Sequence, residues 1–272
     1  MNAIAIPLDG VKGRQQKMWA SGDYAAVAAR IHSMAERLCE SADLVAGTRV
    51  LDVATGSGNA AIAAARRDCD VVGIDYVPSL LERAHARAAA EGLPIELLEA
   101  DAEALPFADA GFDAVLSVVG VMFAPNPEQA AAELMRVCRP GGTIALASWT
   151  PGGFIGDLLR TVTRYAPPPP GVRPSVEWGD PIRLSELLGD GVDRVRTRER
   201  VHTFRHRSAG DFADFFLTNY GPTERAAAGL DASARAAMRV DLEALAAGAS
   251  RLREGGAVAI DATYLEAIAV RA

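Results

Sequence analysis

A chain of 272 residues, half of them hydrophobic and 23% charged, has the composition of a globular protein, long enough for one α/β domain carrying an insertion. Its net charge of −7 argues against nucleic acid as a partner, because phosphate binding draws on clustered Lys and Arg. The opening Met1–Pro7 has no basic region leading into an apolar run, and no stretch of about eighteen apolar residues follows, so a cytoplasmic protein with no membrane partner is expected.

Cys39, Cys69 and Cys138 are odd in number and lack CxxC spacing, which predicts small buried residues with no disulfide and no metal site. In chain order, Asp23 to Asp43 places Val27, Ile31, Met34 and Leu38 at helical spacing in an Ala-rich stretch. Short β-branched runs then alternate with Ala-rich segments. Strands are predicted over Arg49–Ala54, Cys69–Asp75, Ile95–Glu99, Phe112–Ser117 and Thr143–Trp149, with helices between them, the pattern of a parallel sheet covered on both faces. One of those helices starts at Asn126-Pro127, an N-cap followed by proline, and ends at Arg139-Pro140-Gly141-Gly142.

Phe154 to Tyr165 reads as a helix, and the run Pro167–Pro170 as a rigid surface connection. Val192 to Phe204 is a predicted strand, Ser208 to Arg253 a set of helices, and Ile260 to Val270 a final strand. The helical segment is thus an insertion, with an aromatic cluster (Phe212, Phe215, Phe216, Tyr220) that either packs on the sheet edge or covers a ligand.

Chemistry concentrates in Val50-Leu51-Asp52-Val53-Ala54-Thr55-Gly56-Ser57-Gly58-Asn59, a buried strand entering a glycine-rich turn and a helix whose first N–H groups are unpaired. Gly56-x-Gly58-x-x-Ala61 with Asp75 also satisfies a dinucleotide fingerprint, so a nicotinamide dehydrogenase is one reading. Asp52 speaks against it, because a carboxylate there repels pyrophosphate and welcomes an ammonium or sulfonium; no Tyr-x-x-x-Lys pair is present either. Asp75 at the end of the second strand suits a ribose diol, and Asp101 after the third suits an exocyclic adenine amine.

The segments VLDVATGSGN, VVGIDYVPSLLERA, EADAEALPFADAGFDAVLSVVGVMF and RVCRPGGTIALASW, in that order, resemble the class I S-adenosylmethionine (SAM)-dependent methyltransferases. The branch they resemble is related to ubiquinone and menaquinone C-methyltransferases and to small-molecule methyltransferases of bacterial secondary metabolism. That resemblance implies a Rossmann-like, seven-stranded, mostly parallel sheet in the order 3-2-1-4-5-7-6 with helices on both faces; the helical insert read between the last two strands departs from the family's hairpin there and suggests a lid over the substrate. It implies a helical cap over 1–46, a cofactor domain over 47–207 and 254–272, and a substrate insert over 208–253.

It further implies that Asp52, Ala54, Gly56 and Gly58 surround the methionine portion of SAM, Asp75 and Tyr76 the ribose, and Asp101 and Ala102 the adenine, with Ser117 facing the amino-acid end. An aromatic residue in Met18-Trp19-Ala20-Ser21-Gly22-Asp23-Tyr24 would cover the cofactor. The expected products are S-adenosylhomocysteine and an O-, C- or N-methylated small molecule, from a monomer or homodimer. A methyltransferase-like catalyst of non-methylating cyclisation is the alternative.

No catalytic base is identifiable. Of His32, His85, His202 and His206, His85 sits among Glu82, Arg83 and Arg87 and the last two lie in an Arg-rich strand, and Tyr24 and Tyr220 are weak candidates for the acceptor pocket. Met122, Phe123, Trp149 and Phe154 follow strand ends and fit an apolar wall or ordinary core equally well.

Overall fold

The computed structural model describes residues 8–169, 172–252 and 254–272. Met1–Pro7, Pro170 and Arg253, which figure in the sequence reading, lie outside the described residues. Seven strands form one sheet: β1 (Arg49–Val53), β2 (Asp70–Asp75), β3 (Ile95–Glu99), β4 (Phe112–Val118), β5 (Cys138–Trp149), β6 (Val192–His206) and β7 (Val258–Arg271). Their order is β3-β2-β1-β4-β5-β7-β6, with β7 antiparallel to both neighbours, as the sequence reading expects. The inner strands bury both faces, which is why β1 and β2 read as nearly unbroken apolar runs.

Helices α1 (Leu8–Trp19), α2 (Tyr24–Ser41), α3 (Asn59–Ala65), α4 (Pro78–Ala90), α5 (Pro127–Val137), α6 (Phe154–Tyr165) and α7 (Pro181–Leu188) cover the sheet. Between β6 and β7 come α8 (Ala209–Asn219), α9 (Gly221–Ala228) and α10 (Ala232–Ala249). The predicted face of α2 is buried through Val27, Ile31, Met34 and Leu38, and α3 beneath it is almost entirely alanine, which lets it lie close to both α2 and the sheet. Asn126 caps α5, its side chain accepting from the Gln129 N–H.

Two stretches differ from expectation. Extended chain resumes at Cys138 rather than Thr143, because Arg139-Pro140-Gly141-Gly142 forms a bulge between the pairs Phe112–Cys138 and Ala114–Thr143. The connection after Pro167–Pro169 is not wholly irregular. A 3₁₀ turn at Ser175–Gly179 leads into α7, whose Asp180 side chain accepts from the N–H groups of Ile182 and Arg183.

Candidate functional site

The register aligns the carboxyl ends of the first four strands: Asp52 lies opposite Gly73 and Leu116, and Asp75 opposite Glu99. Strand order reverses between β1 and β4, where β1 leads away to β2 on one side and β4 to β5 on the other, so a crevice opens above these strand ends.

Asp52 is buried. Its Oδ2 accepts from the Thr55 hydroxyl at 2.6 Å and the Ala61 N–H at 2.8 Å, while Oδ1 is closed off from solvent with no partner. Burial pushes its pKa up to about 7, opposed by those two hydrogen bonds and reinforced by the charge of Asp75. A buried carboxylate oxygen without a donor marks a place for a cation.

Asp75 holds the turn and faces the same crevice. Its Oδ2 accepts from the Gly56 N–H and its Oδ1 from the Val77 N–H, both at 2.9 Å, so each oxygen keeps a second lone pair. Burial raises its pKa to about 6 against the pull of these amides. Ala54, with φ of 55°, lines both the cavity beside Asp52 and that beside Asp75, and so links the two halves of the cleft.

Gly56, at φ of 57°, sits under the Tyr24 ring, and a Cβ there would lie 3.4 Å from Tyr24 Cε1. Gly58 has a different task from the one expected. It caps α3 with φ of 87° and lets Ala84 of α4 approach, a Cβ falling 3.1 Å from that of Ala84. Arg87 of α4 clasps the same turn, donating to the Ser57 carbonyl at 2.6 Å and to Asn59 Oδ1 at 2.9 Å.

At the far end, Tyr76, Asp101 and Ala102 line the cavity with Asp75. Lys12 of α1 reaches into it, its Nζ 2.6 Å from both Asp101 Oδ2 and Glu103 Oε2. Desolvation lowers the Lys12 pKa, and its bonds to Asp101 and Glu103 outweigh that, leaving it raised. Gln16, one turn on, donates to the Tyr76 carbonyl.

Ser117 is spent inside the chain rather than facing the crevice. Its hydroxyl donates to the Val53 carbonyl at 2.7 Å and accepts from the Val121 N–H at 2.9 Å, tying β1 to the loop after β4. Sequence reasoning missed Gly120 in that loop, where a Cβ would lie 2.6 Å from the Ala54 carbonyl oxygen. Its only signal was a glycine two residues beyond a strand end.

A second cavity of about 700 Å³ adjoins the crevice and shares Phe123, Ala124 and Pro125 with it. It is lined by Met18 of α1, Met122, Leu159 of α6, Val176 and five prolines, of which Pro222 alone comes from the insert. Tyr24 lies at the Asp52 end of the cleft, and burial with the Asp75 charge raises its pKa. Tyr220 is enclosed edge-on by Trp19 and Phe216 and lines neither cavity.

Trp149 and Phe154 are core, while Met122 and Phe123 do form cavity wall. The four histidines lie outside the crevice. His202 packs on Trp149 and Phe204, where burial lowers its pKa to about 4, and His206 is bonded to Asp211.

The chain is similar to known proteins in sequence and in fold. A family model described as a methyltransferase domain matches residues 51–146, which hold the turn and both carboxylates Asp52 and Asp75. An uncharacterized protein of Mycobacterium tuberculosis is 44% identical over 241 residues, 88% of each chain. A demethylmenaquinone methyltransferase of Deinococcus radiodurans is 35% identical over 173 residues, 57% of this chain and 71% of that one. Among solved structures, one from Bacillus halodurans aligns over 88% of this chain and 98% of its own, with a TM-score of 0.61 at 20% identity, a likeness of fold.

Proposed function

We propose, for a chain that belongs to the class I SAM-dependent methyltransferases, that the crevice over β1 to β4 holds SAM and that its methyl group passes to an O, C or N nucleophile of a small molecule in the adjoining cavity. The observation that carries this reading is the unpartnered Asp52 Oδ1, closed off from solvent in the strand beside the one that ends at Asp75 and below the Gly56 turn. It takes the α-ammonium of the methionine portion. Asp75 accepts from the ribose hydroxyls with its free lone pairs, and Asp101, between Tyr76 and Ala102, accepts from the adenine amine.

SAM supplies a methyl group already activated by its sulfonium, so the chain contributes alignment and exclusion of water. Tyr24 and Trp19, in the cap, close the crevice from above: Tyr24 covers Gly56, and Trp19 stacks edge-on with both Tyr24 and Phe123. The cap over 1–46, the cofactor domain over 47–207 and 254–272, and the insert over 208–253 divide the work. The insert supports the cap, Gly221 packing against Met18 with no space for a side chain, and adds Pro222 to the acceptor wall.

Calorimetric titration with SAM and S-adenosylhomocysteine, followed by mass spectrometry of small-molecule mixtures incubated with methyl-labelled SAM, tests this reading. Binding of both nucleosides and appearance of label in an acceptor are expected. A folded chain that binds neither overturns the proposal.

A further inference from the structure

We infer that the 700 Å³ cavity is selective for an uncharged, predominantly apolar acceptor, an inference that rests on the methyltransferase reading of the neighbouring crevice. Its volume falls within the range of pockets that enclose drug-sized molecules, roughly 300–1,000 Å³. The wall is made of Met18, Met122, Phe123, Leu159 and Val176, with prolines at 125, 151, 168, 174 and 222. Fixed φ at five positions makes much of that wall rigid.

The charges on the wall look at first like an anion site, since Arg160, Arg173 and Arg183 all line it. Each is already spoken for. Arg160 pairs with Asp157 and donates to the Pro151 carbonyl; Arg173 pairs with Glu128 and Glu177; Arg183 pairs with Glu128, Glu177 and Glu186.

The two carboxylates that line the cavity are equally committed. Glu177 lies between Arg173 and Arg183, its Oε2 facing the Arg183 Nε at 3.5 Å as an ion pair without a hydrogen bond, and Asp180 caps α7. An anionic acceptor therefore meets, among the described residues, only guanidiniums already in ion pairs, three arginines outnumbered by Asp157, Glu128, Glu177, Asp180 and Glu186. A cationic one meets, among the described residues, only carboxylates already in ion pairs or capping a helix, and either charge loses water against a mainly apolar wall whose uncharged polar groups, Gln15, Thr163 and Ser175, replace little of it. An uncharged body leaves these ion pairs intact.

The test compares 4-hexylphenol, 4-hexylbenzoate and 4-hexylbenzylamine, which share one apolar body and carry no charge, a negative charge and a positive charge at neutral pH. Titration calorimetry on the full chain should show the phenol binding at least about tenfold more tightly than either charged probe. Leu159→Trp and, on an exposed position of the same helix, Thr163→Trp both fill the cavity. Each should weaken 4-hexylphenol by about tenfold or more and leave SAM affinity within about twofold.

Equal or tighter binding of a charged probe overturns the inference, as does failure of the phenol to bind or indifference of its binding to both tryptophans. SAM titrated separately into the same samples distinguishes the two levels. Loss of SAM binding in the unmodified chain removes the methyltransferase reading, whereas normal SAM binding with the wrong probe preference removes only the inference about the acceptor.

Discussion

Lys12 and Asp101, 89 residues apart in sequence, meet at 2.6 Å across the mouth of the crevice. The bond takes one lone pair of the Asp101 oxygen that an adenine amine would use and competes with it there, while the other oxygen accepts from the Glu103 N–H. Lys12→Met should therefore tighten SAM binding by a few-fold, on the order of 1 kcal/mol, by releasing that oxygen. The same change strips the buried Glu103 of its cation, so the melting temperature should fall. Weaker SAM binding by calorimetry would show instead that Lys12 belongs to the closed form of the site.

Asp75→Ala should weaken SAM by roughly 1.5–3 kcal/mol, the range for losing a charged hydrogen-bond partner. The structure adds a second consequence. Gly56 and Val77 N–H groups lose their acceptor together, so the variant should also melt earlier, and affinity is best read well below its melting point. An unchanged dissociation constant removes Asp75 from the ribose site.

Two glycines of the turn region should differ in their tolerance of alanine. At Gly56 the added Cβ meets only the edge of the Tyr24 ring at 3.4 Å, so the cost is mainly the left-handed backbone, about 1–2 kcal/mol. At Gly120 it meets the Ala54 carbonyl oxygen at 2.6 Å and the Ala54 Cβ at 2.8 Å, backbone-anchored atoms that have no rotamer to move to. Gly120→Ala should cost roughly 3 kcal/mol and close the crevice at Ala54. Denaturant titrations that rank the two variants in the opposite order would contradict this.

The sheet was legible because its signals are local. Inner strands covered on both faces must be apolar throughout, and the turn after β1 carries its glycines within the motif itself. Asp52 and Asp75 were legible for the same reason, each lying at a strand end. What escaped depends on contacts between distant segments: Lys12 with Asp101, and Phe123 with Trp19.

α7 did carry a local signal, Asp180-Pro181 repeating the Asn126-Pro127 pattern, but the nearby prolines pointed to irregular chain. The insert lies between β6 and β7 as expected, and of the two readings of its aromatic cluster the one that holds is packing on the sheet. Phe212 and Phe216 pack on Phe154 and Phe204 in the core, so excising α8 to α10 would uncover the sheet.

The last prediction follows from Asp52 and Asp75, whose carboxyls are raised from the ordinary 3.8 to about 7 and about 6 by burial. The folded chain therefore binds these two protons more tightly than the unfolded chain, and the stability they contribute is fully present below about pH 4. It is lost as pH rises through 6 and 7. Other carboxylates act in the opposite sense at lower pH: arginine-paired Glu133, Asp113 and Asp214 are depressed and favour the fold above their unfolded values. The window in which Asp52 and Asp75 dominate is thus about pH 5 to 8, where the melting temperature of the free protein should fall as pH rises. SAM affinity should run the other way, because its ammonium and ribose hydroxyls need both carboxylates ionised; each proton displaced contributes up to about tenfold per pH unit below the pKa. Asp52→Asn keeps an oxygen for Thr55 and Ala61 but cannot ionise. It should flatten the upper part of the melting profile, raise the melting temperature at pH 8 and weaken SAM severely. Scanning calorimetry from pH 5 to 8 with and without SAM reads all three effects, and an unmodified slope in the Asn variant would show that the titrating group lies elsewhere.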